Sequence, residues 1–474
     1  MLASKRIPRA LIVVVLICLA INLGIAALVA VDRPEYLADY RLSKNPDCLD
    51  YVLLGENLLL HGHFSRCAQP PYLPDMVRTP IYPVFAGALE LMGKAGAIYF
   101  AQIGLQAASC VLLFLLVRAF FGPMPAFWAA ALFATDLALA VNNFWPMSES
   151  LFVFLVLASA AVTLPVLLTP RDENDSDRRG WRLVGGGVLL GAAILTRPAG
   201  LYLPLVYSAG CLGIGVYRQR LGSAVRMASV LLLISLIPPA LWIARNATTF
   251  SVPKLTAVET NNLLYFVGAG AYQVRHGVGL EEAQAMIAEE FHVAPYVEVQ
   301  NAHASNRSVA ELNAELRAVQ WDVLGKYPAH LALSSVMALT KASFSHATGQ
   351  LAEMLGRQWV APGTRSLVLH PMDATKRLWQ NGPVLSAAFI WQLAHVAVAL
   401  GAALFGLACV MRDRQARAVG LVLLAVLGYF YLIVAMFGFE AYWRCRIPVL
   451  PFLYVFSGYG ISRLFPSAES RACS

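Results

Sequence analysis

The sequence predicts an α-helical polytopic membrane protein with about 10–11 transmembrane helices. Composition is the first observation: of 474 residues, 58% are hydrophobic and 14% charged, against about 45–50% and about 25% in a soluble domain. The second is that the apolar residues come in nearly charge-free blocks of about 20, the length that crosses a bilayer. The third is that most basic residues sit in short connections between those blocks, so the net charge of +8 reports topology rather than an affinity for nucleic acid. Together these exclude an ordinary soluble enzyme and a nucleic-acid partner. The eight cysteines show no paired C-x-x-C spacing, which excludes the usual zinc and redox motifs.

The first block, 10–31, follows Lys5, Arg6 and Arg9. Its apolar core exceeds the about 7–15 residues of a signal peptide, so it reads as a retained span. Further spans are predicted at 97–117, 124–141, 148–168, 183–197, 200–217, 227–244, 384–410, 419–437 and 447–464. Arg118, Arg171, Arg178, Arg179, Arg182, Arg218, Arg220, Arg226, Arg412, Arg414, Arg417 and Arg463 all fall on the side of the first basic cluster if these ten cross. The positive-inside rule makes that side cytoplasmic, which describes a multi-pass protein of the inner (plasma) membrane. Two large segments, 32–96 and 245–383, then lie outside. The first carries an interfacial helix from Asn45 to about Leu60, and 281–326 in the second has the spacing of a small helical cap. Segment 330–350 is apolar enough to span, but counting it would place Arg412, Arg414 and Arg417 outside, so it reads as interfacial or re-entrant. The chain therefore divides into a transmembrane module 1–250 containing the first outer loop 32–96, an extracytoplasmic or interfacial segment 251–383, and C-terminal helices 384–474.

Charges that insertion does not call for mark the candidate site. Arg78, Arg197, Arg245, Arg444 and Arg446, with Asp47, Asp50 and Glu149, all fall at the outer ends of spans. Clustered arginines at headgroup depth suit a phosphate. Asp47 and Asp50 lie one turn apart at a helix start, where they imitate a capping box and, since a capping carboxylate stays ionised, are also compatible with a general base. Glu149 opens its span and either complements the helix dipole or takes part in chemistry. Asp47, Asp50 and Glu149 sharing a divalent cation is an open alternative. His61-Gly62-His63 has no third ligand nearby and reads as loop. Cys48 and Cys67, both in an outer loop on an oxidising side, are expected to pair.

In chain order, Asp47-Cys48-Leu49-Asp50-Tyr51, Glu56-Asn57-Leu58-Leu59, Gly62-His63-Phe64-Ser65 and Arg78-Thr79-Pro80-Ile81-Tyr82-Pro83 are followed by Ser148-Glu149, Leu195-Thr196-Arg197-Pro198, Leu241 to Asn246 and Arg444-Cys445-Arg446-Ile447-Pro448. This series resembles the landmarks of the polyprenyl-phosphate-sugar-dependent membrane glycosyltransferases of the C-type superfamily, the group holding protein O-mannosyltransferases and the lipid A aminoarabinose transferase. Ile81, Cys445 and Gly55 stand where that family usually has Gly, Tyr and Ala.

The resemblance implies an inverting transferase with its active site facing the extracytoplasmic side and the catalytic aspartate at Asp47. Asp50 and Glu149 would assist it. Arg78, Arg245, Arg444 and Arg446 would bind the donor phosphate, and Tyr51, Tyr82, Asn143, Arg197, Asn246 and Tyr442 would line the substrate pocket. The partners expected are a polyprenyl-phosphate-linked sugar, membrane lipids and an envelope glycan, lipid or exported protein such as a pilin as acceptor. No cofactor is required and no dedicated metal site is expected. The rival readings are a polytopic transporter and a lipid-linked sugar flippase, although transporters place their charges near the midplane rather than at one border.

Overall fold

A computed structural model describes residues 9–43, 45–169, 176–300, 308–361, 371–438 and 441–465. The described residues are overwhelmingly helical and contain no strand. Each of the ten predicted spans is helical. Seven helices are long and apolar enough to cross a membrane: Arg9–Asp32, Ile81–Phe121, Glu149–Leu168, Pro198–Tyr217, Leu221–Phe250, Gly382–Arg412 and Arg417–Ala435. The other three depart from a straight apolar span for local reasons. The span predicted at 124–141 is split into Pro123–Thr135 and Leu137–Asn142 because Asp136 takes a β conformation and caps the second piece through Ala138 N. Ser176–Thr196 opens on a polar, basic turn, and Leu450–Leu464 is only 15 residues long.

Contacts between helices fix their directions. Cys18 faces Cys110, and Asn22 Nδ2 donates to Gln106 Oε1 at 3.1 Å, so the first helix runs antiparallel to the second. Ser159 reaches the carbonyl of Gly186 at 2.8 Å while Arg179 reaches that of Val166, and Tyr429 reaches the carbonyl of Ala199 at 2.5 Å while Gly210 faces Val422, which sets two more antiparallel pairs. Helices 382–412 and 450–464 run parallel: Ser457 Oγ donates to Ala399 O, and Tyr459 OH to Asp413 Oδ2, both at 2.8 Å. These registers bring Arg179, Arg218, Asp413 and Arg463 to one end of the bundle. Two of these arginines close the carboxyl end of helix 149–168, Arg218 at Leu168 O and Arg179 at Val166 O.

It follows that the chain crosses an even number of times between 250 and 382. Pro328–Phe344, the helix within the ambiguous segment, adds no net crossing. Its carboxyl end is held at the opposite end of the bundle, where Arg446 NH1 donates to the carbonyls of Ala342, Ser343 and Ser345 at 3.1, 2.9 and 2.6 Å. A separate small core, built on Leu264, Tyr265, Tyr272, Ile287, Leu316 and Val323, forms the cap at that same end.

Many large apolar side chains on the spans face outward, among them Leu16, Leu23, Val188, Leu233, Leu241, Leu404 and Leu432. That is the surface a lipid-embedded bundle presents. The interior holds the polar minority. Asn143 Nδ2 donates to Asn22 Oδ1 at 2.9 Å and to Gln106 Oε1 at 2.5 Å, satisfying amides that would be costly to bury alone.

Candidate active site

The site rests on two short helical segments pressed together. Helix Pro46–His61 starts on Asn45, whose side chain accepts from Asp47 N at 3.0 Å, has Pro46 in its first turn, and stops at Gly62 with φ 73°. The N-cap is therefore Asn45, and the capping role considered for Asp47 is not what its side chain does. The partner is the first stretch of Ile81–Phe121, ahead of a break at Gly93–Lys94. A Cβ on Gly55 would lie 1.9 Å from the carbonyl oxygen of Pro83, and one on Gly87 would lie 2.5 Å from Gly55 C. Bare backbone on both sides is what lets the helix carrying Asp47 and Asp50 sit against the segment that follows Arg78. Gly55, where the resembling family has Ala, has its explanation in this contact.

Eight side chains form one alternating chain of acids and guanidinium groups. Asp75 Oδ2 meets Arg66 Nε at 2.6 Å, Arg66 NH1 meets Asp50 Oδ2 at 3.3 Å, and Asp50 Oδ2 meets Arg78 NH2 at 3.5 Å. Arg78 NH2 then meets Asp47 Oδ1 at 2.5 Å, and Asp47 Oδ2 meets Arg444 NH2 at 3.5 Å. Arg444 Nε meets Glu149 Oε1 at 3.3 Å, and Arg197 NH1 reaches the same oxygen at 2.5 Å. The outermost acids are the buried parts: the Asp75 side chain is 3% exposed and that of Glu149, next to the terminal Arg197, 0%. The centre is open, with Asp47 at 27%, Arg78 at 18% and Arg444 at 16%. Four carboxylates and four arginines balance within this row of eight.

Electrostatics separate the two aspartates. Burial raises the Asp47 carboxyl, but the charges of Arg78 and Arg444 and a hydrogen bond from Arg78 outweigh it and hold the group at about 2. Burial pushes Asp50 up from its ordinary value, opposed by Arg66 and Arg78 and reinforced by Asp47 and Asp75. Two carboxylates one turn apart are thus tuned in opposite directions, a pattern typical of acid–base sites.

The remaining predicted residues divide. Tyr51 lies under Arg78, its ring 4.9 Å from the guanidinium carbon, and shares a 3.3 Å contact with Ser148 Oγ. Tyr82 packs edge-on to Tyr51 and donates to Gln102 Oε1 at 3.0 Å. Tyr442 stacks beside Arg444, and Arg197 also donates to Ser148 Oγ at 3.1 Å. Three predicted residues are engaged elsewhere, and a fourth, Arg245, holds the backbone of Asp75 rather than a carboxylate of the row. Arg446 caps helix 328–344, and Asn143 lies in the interior amide network. Asn246 Nδ2 ties down the carbonyls of Lys254 and Leu255 at 2.9 and 3.0 Å. Arg245 donates to Asp75 O at 2.8 Å and lies over the rings of Trp242, Phe250 and Phe64.

Cys48 and Cys67 are free thiols. Cys48 points at Ser43 from the first turn of its helix, whereas the Cys67 carbonyl is bound by Asn57 Nδ2. Cys48 and Asn57 are nine residues apart on one helix, about 13 Å along its axis, and a disulfide needs Cα atoms within about 7 Å. His61 and His63 both stack on Tyr72. Among the described residues no three His, Cys, Asp or Glu side chains converge to hold a metal ion.

Arg66, Asp75 and Gln102 were not anticipated, and Ser148 entered only as the landmark beside Glu149. Gln102 Nε2 donates to the carbonyls of Asn143 and Trp145 at 2.9 and 2.7 Å, steadying the loop that leads to Ser148 and Glu149. The signal for Asp75 was its place three residues before Arg78 in a proline-rich loop, a spacing that suits an Asx turn.

No protein-family model and no curated protein matches the chain. Solved structures do. The oligosaccharyltransferase AglB of Archaeoglobus fulgidus, in complex with an inhibitory peptide and a dolichol-phosphate, superposes with a TM-score of 0.52 at 13% identity over 98% of this chain and 51% of that one. The Archaeoglobus fulgidus enzyme tethered to an acceptor peptide gives 0.54 at 14% identity over 98% and 50%. ArnT of Cupriavidus metallidurans bound to undecaprenyl phosphate aligns over 93% of this chain and 78% of that one at 16% identity, but with a TM-score of 0.37 that bears no weight. The chain spans about half the length of the oligosaccharyltransferases it matches. The chain shares the fold of the part of these membrane oligosaccharyltransferases that it matches.

Proposed function

We propose that the protein is an inverting glycosyltransferase that moves a sugar from a polyprenyl-phosphate donor to a hydroxyl of an extracytoplasmic envelope acceptor. One observation carries this reading: an ionised aspartate, Asp47, stands at the open centre of the ion chain with a guanidinium on either side. Such a centre suits a reaction in which a hydroxyl loses a proton while a neighbouring phosphate gains charge.

The acceptor oxygen attacks the anomeric carbon, the bond from that carbon to the phosphate oxygen breaks with its electron pair, and the hydroxyl proton passes to Asp47. The lipid phosphodiester becomes a monoester, and Arg78 and Arg444 stabilise the charge it gains more than they stabilise the ground state. Phosphate leaves well enough that no general acid is needed. A carboxylate held at about 2 is a weak base. When the donor phosphate draws on Arg78 and Arg444, Asp47 loses part of the field that depresses it, and its basicity rises as substrate arrives. Asp50 and Glu149 orient the arginines. Guanidinium groups engage both oxygens of Asp47 and one oxygen each of Asp50 and Glu149, and the reading invokes no resident metal. An oligosaccharyltransferase of the same fold binds dolichol-phosphate, which supports a polyprenyl-phosphate carrier here.

Mass spectrometry of lipids that copurify with the protein tests the donor class. A polyprenyl phosphate or its glycoside, retained by wild type and lost in Arg78→Ala, is the expected result. A chain that retains neither, even when supplied with polyprenyl phosphate, contradicts the reading.

A further inference from the structure

Asp75 is a carboxylate with no free oxygen. Its Oδ1 accepts from Val77 N at 2.8 Å and Arg78 N at 3.1 Å, and its Oδ2 accepts from Arg66 Nε at 2.6 Å. Its own amide donates to Phe64 O at 2.9 Å, and its carbonyl accepts from Arg245 NH1 at 2.8 Å. A buried anion so fully committed is not a substrate ligand, but it can hold the backbone from which Arg78 departs. Arg66 extends the grip sideways, because its NH1 reaches Asp50 Oδ2, the oxygen that Arg78 also touches. Arg78 needs outside support: its Nε is buried and has no hydrogen-bond partner among the described residues, so its NH2 contacts, the Tyr51 ring and its backbone set its direction.

We infer that Arg66 and Asp75 are positioning residues, a buried clamp that aims Arg78 between Asp47 and Asp50 and so sets the geometry in which Arg78 meets the donor phosphate. The inference rests on the transferase reading for what Arg78 meets, and on geometry alone for the clamp. Arg245 belongs to the same device, since it fastens the outer end of helix 221–250 to the Asp75 carbonyl.

The decisive variant is Asp75→Asn, which keeps an oxygen for the amides of Val77 and Arg78 but loses the charge on which Arg66 rests. Arg66→Lys is the conservative companion. The first readout is the rate at which an arginine-selective dicarbonyl labels Arg78 in the folded protein, followed by peptide mass spectrometry with Arg197, at the far end of the ion chain, as internal reference. Faster labelling of Arg78 with Arg197 unchanged is expected, with Arg66→Lys intermediate. An unchanged Arg78 rate, or an equal rise at Arg197 that signals general loosening, overturns the clamp. The second readout is kcat/KM in a double-mutant cycle. Asp75→Asn is expected to lower it about tenfold, the scale of one lost hydrogen bond to a charged group, and to have no further effect in an Arg78→Ala background. Additive losses overturn a role exerted through Arg78. If wild type transfers no sugar, the transferase reading fails, and the labelling result still decides the clamp.

Discussion

Replacing Asp47 by Asn separates chemistry from binding more cleanly than any other substitution in the site. Because Asn45 is the cap, the change leaves the start of helix 46–61 intact. It removes one negative charge from a balanced chain of eight groups, leaving the arginine pair in excess by one. The fold loses the 2.5 Å contact to Arg78 and the 3.5 Å contact to Arg444. Asp47 is only partly shielded, so the expected cost is about 1 kcal/mol, nearer the exposed than the buried scale. Affinity for a polyprenyl phosphate should hold or rise, since an anion now enters a site of net positive charge. Turnover should fall by about 100-fold or more, the scale of general-base removal and about 2.7 kcal/mol of barrier.

Acid titration supplies a second check. Asp47 is depressed from 3.8 to about 2, so its contribution to stability is complete above about pH 4 and is lost as pH falls toward 2. Asp47→Asn should lack that segment of the acid-unfolding curve. Isothermal binding, steady-state transfer and thermal melts across pH read all of this. Near-normal turnover in a folded Asp47→Asn variant would falsify the base assignment and move attention to Asp50 and Glu149.

Gly55→Ala puts a methyl group 1.9 Å from Pro83 O and should cost about 1–3 kcal/mol in a melt as the two site helices part; an unchanged melting temperature would show that they are not in close contact. Arg446→Gln should lower stability by about 1–3 kcal/mol through the orphaned carbonyls of helix 328–344 while leaving donor affinity alone, and a selective loss of donor affinity would return Arg446 to the phosphate site. Trp321→Cys and Arg414→Cys should react with an impermeant thiol reagent from opposite sides of the membrane; labelling of both from outside would show that helix 328–344 crosses after all.

The fold was legible because membrane insertion writes itself into the sequence as apolar length and basic asymmetry, which is why every predicted span is helical. The Asp136 break, by contrast, depends on one side chain capping a backbone amide inside an apolar run, which hydropathy averages away. At the site, depth along the spans singled out Asp47, Arg78, Glu149, Arg197 and Arg444, which the structure links in one row of ion pairs. Depth cannot tell direction, however. Arg444 and Arg446 leave the same short turn, one toward Glu149 and Asp47 and the other toward the carbonyls of helix 328–344. Asp75 and Arg66 escaped notice because their importance lies in filling each other's hydrogen-bonding capacity, a property of three-dimensional pairing. Asp47 looked like a cap because its spacing to Asp50 imitates one, whereas Asn45, two residues earlier, already held the exposed amide.

The most direct test of the transferase account is to give purified protein in lipid a panel of polyprenyl-phosphate pentoses, hexoses and aminosugars with envelope acceptors, and to follow the lipid product by mass spectrometry. The account predicts acceptor-dependent release of free polyprenyl phosphate from at least one donor, with inversion at the anomeric carbon and loss of the signal in Asp47→Asn. Movement of an intact lipid-linked sugar across the bilayer with no cleavage of the sugar–phosphate bond would contradict it.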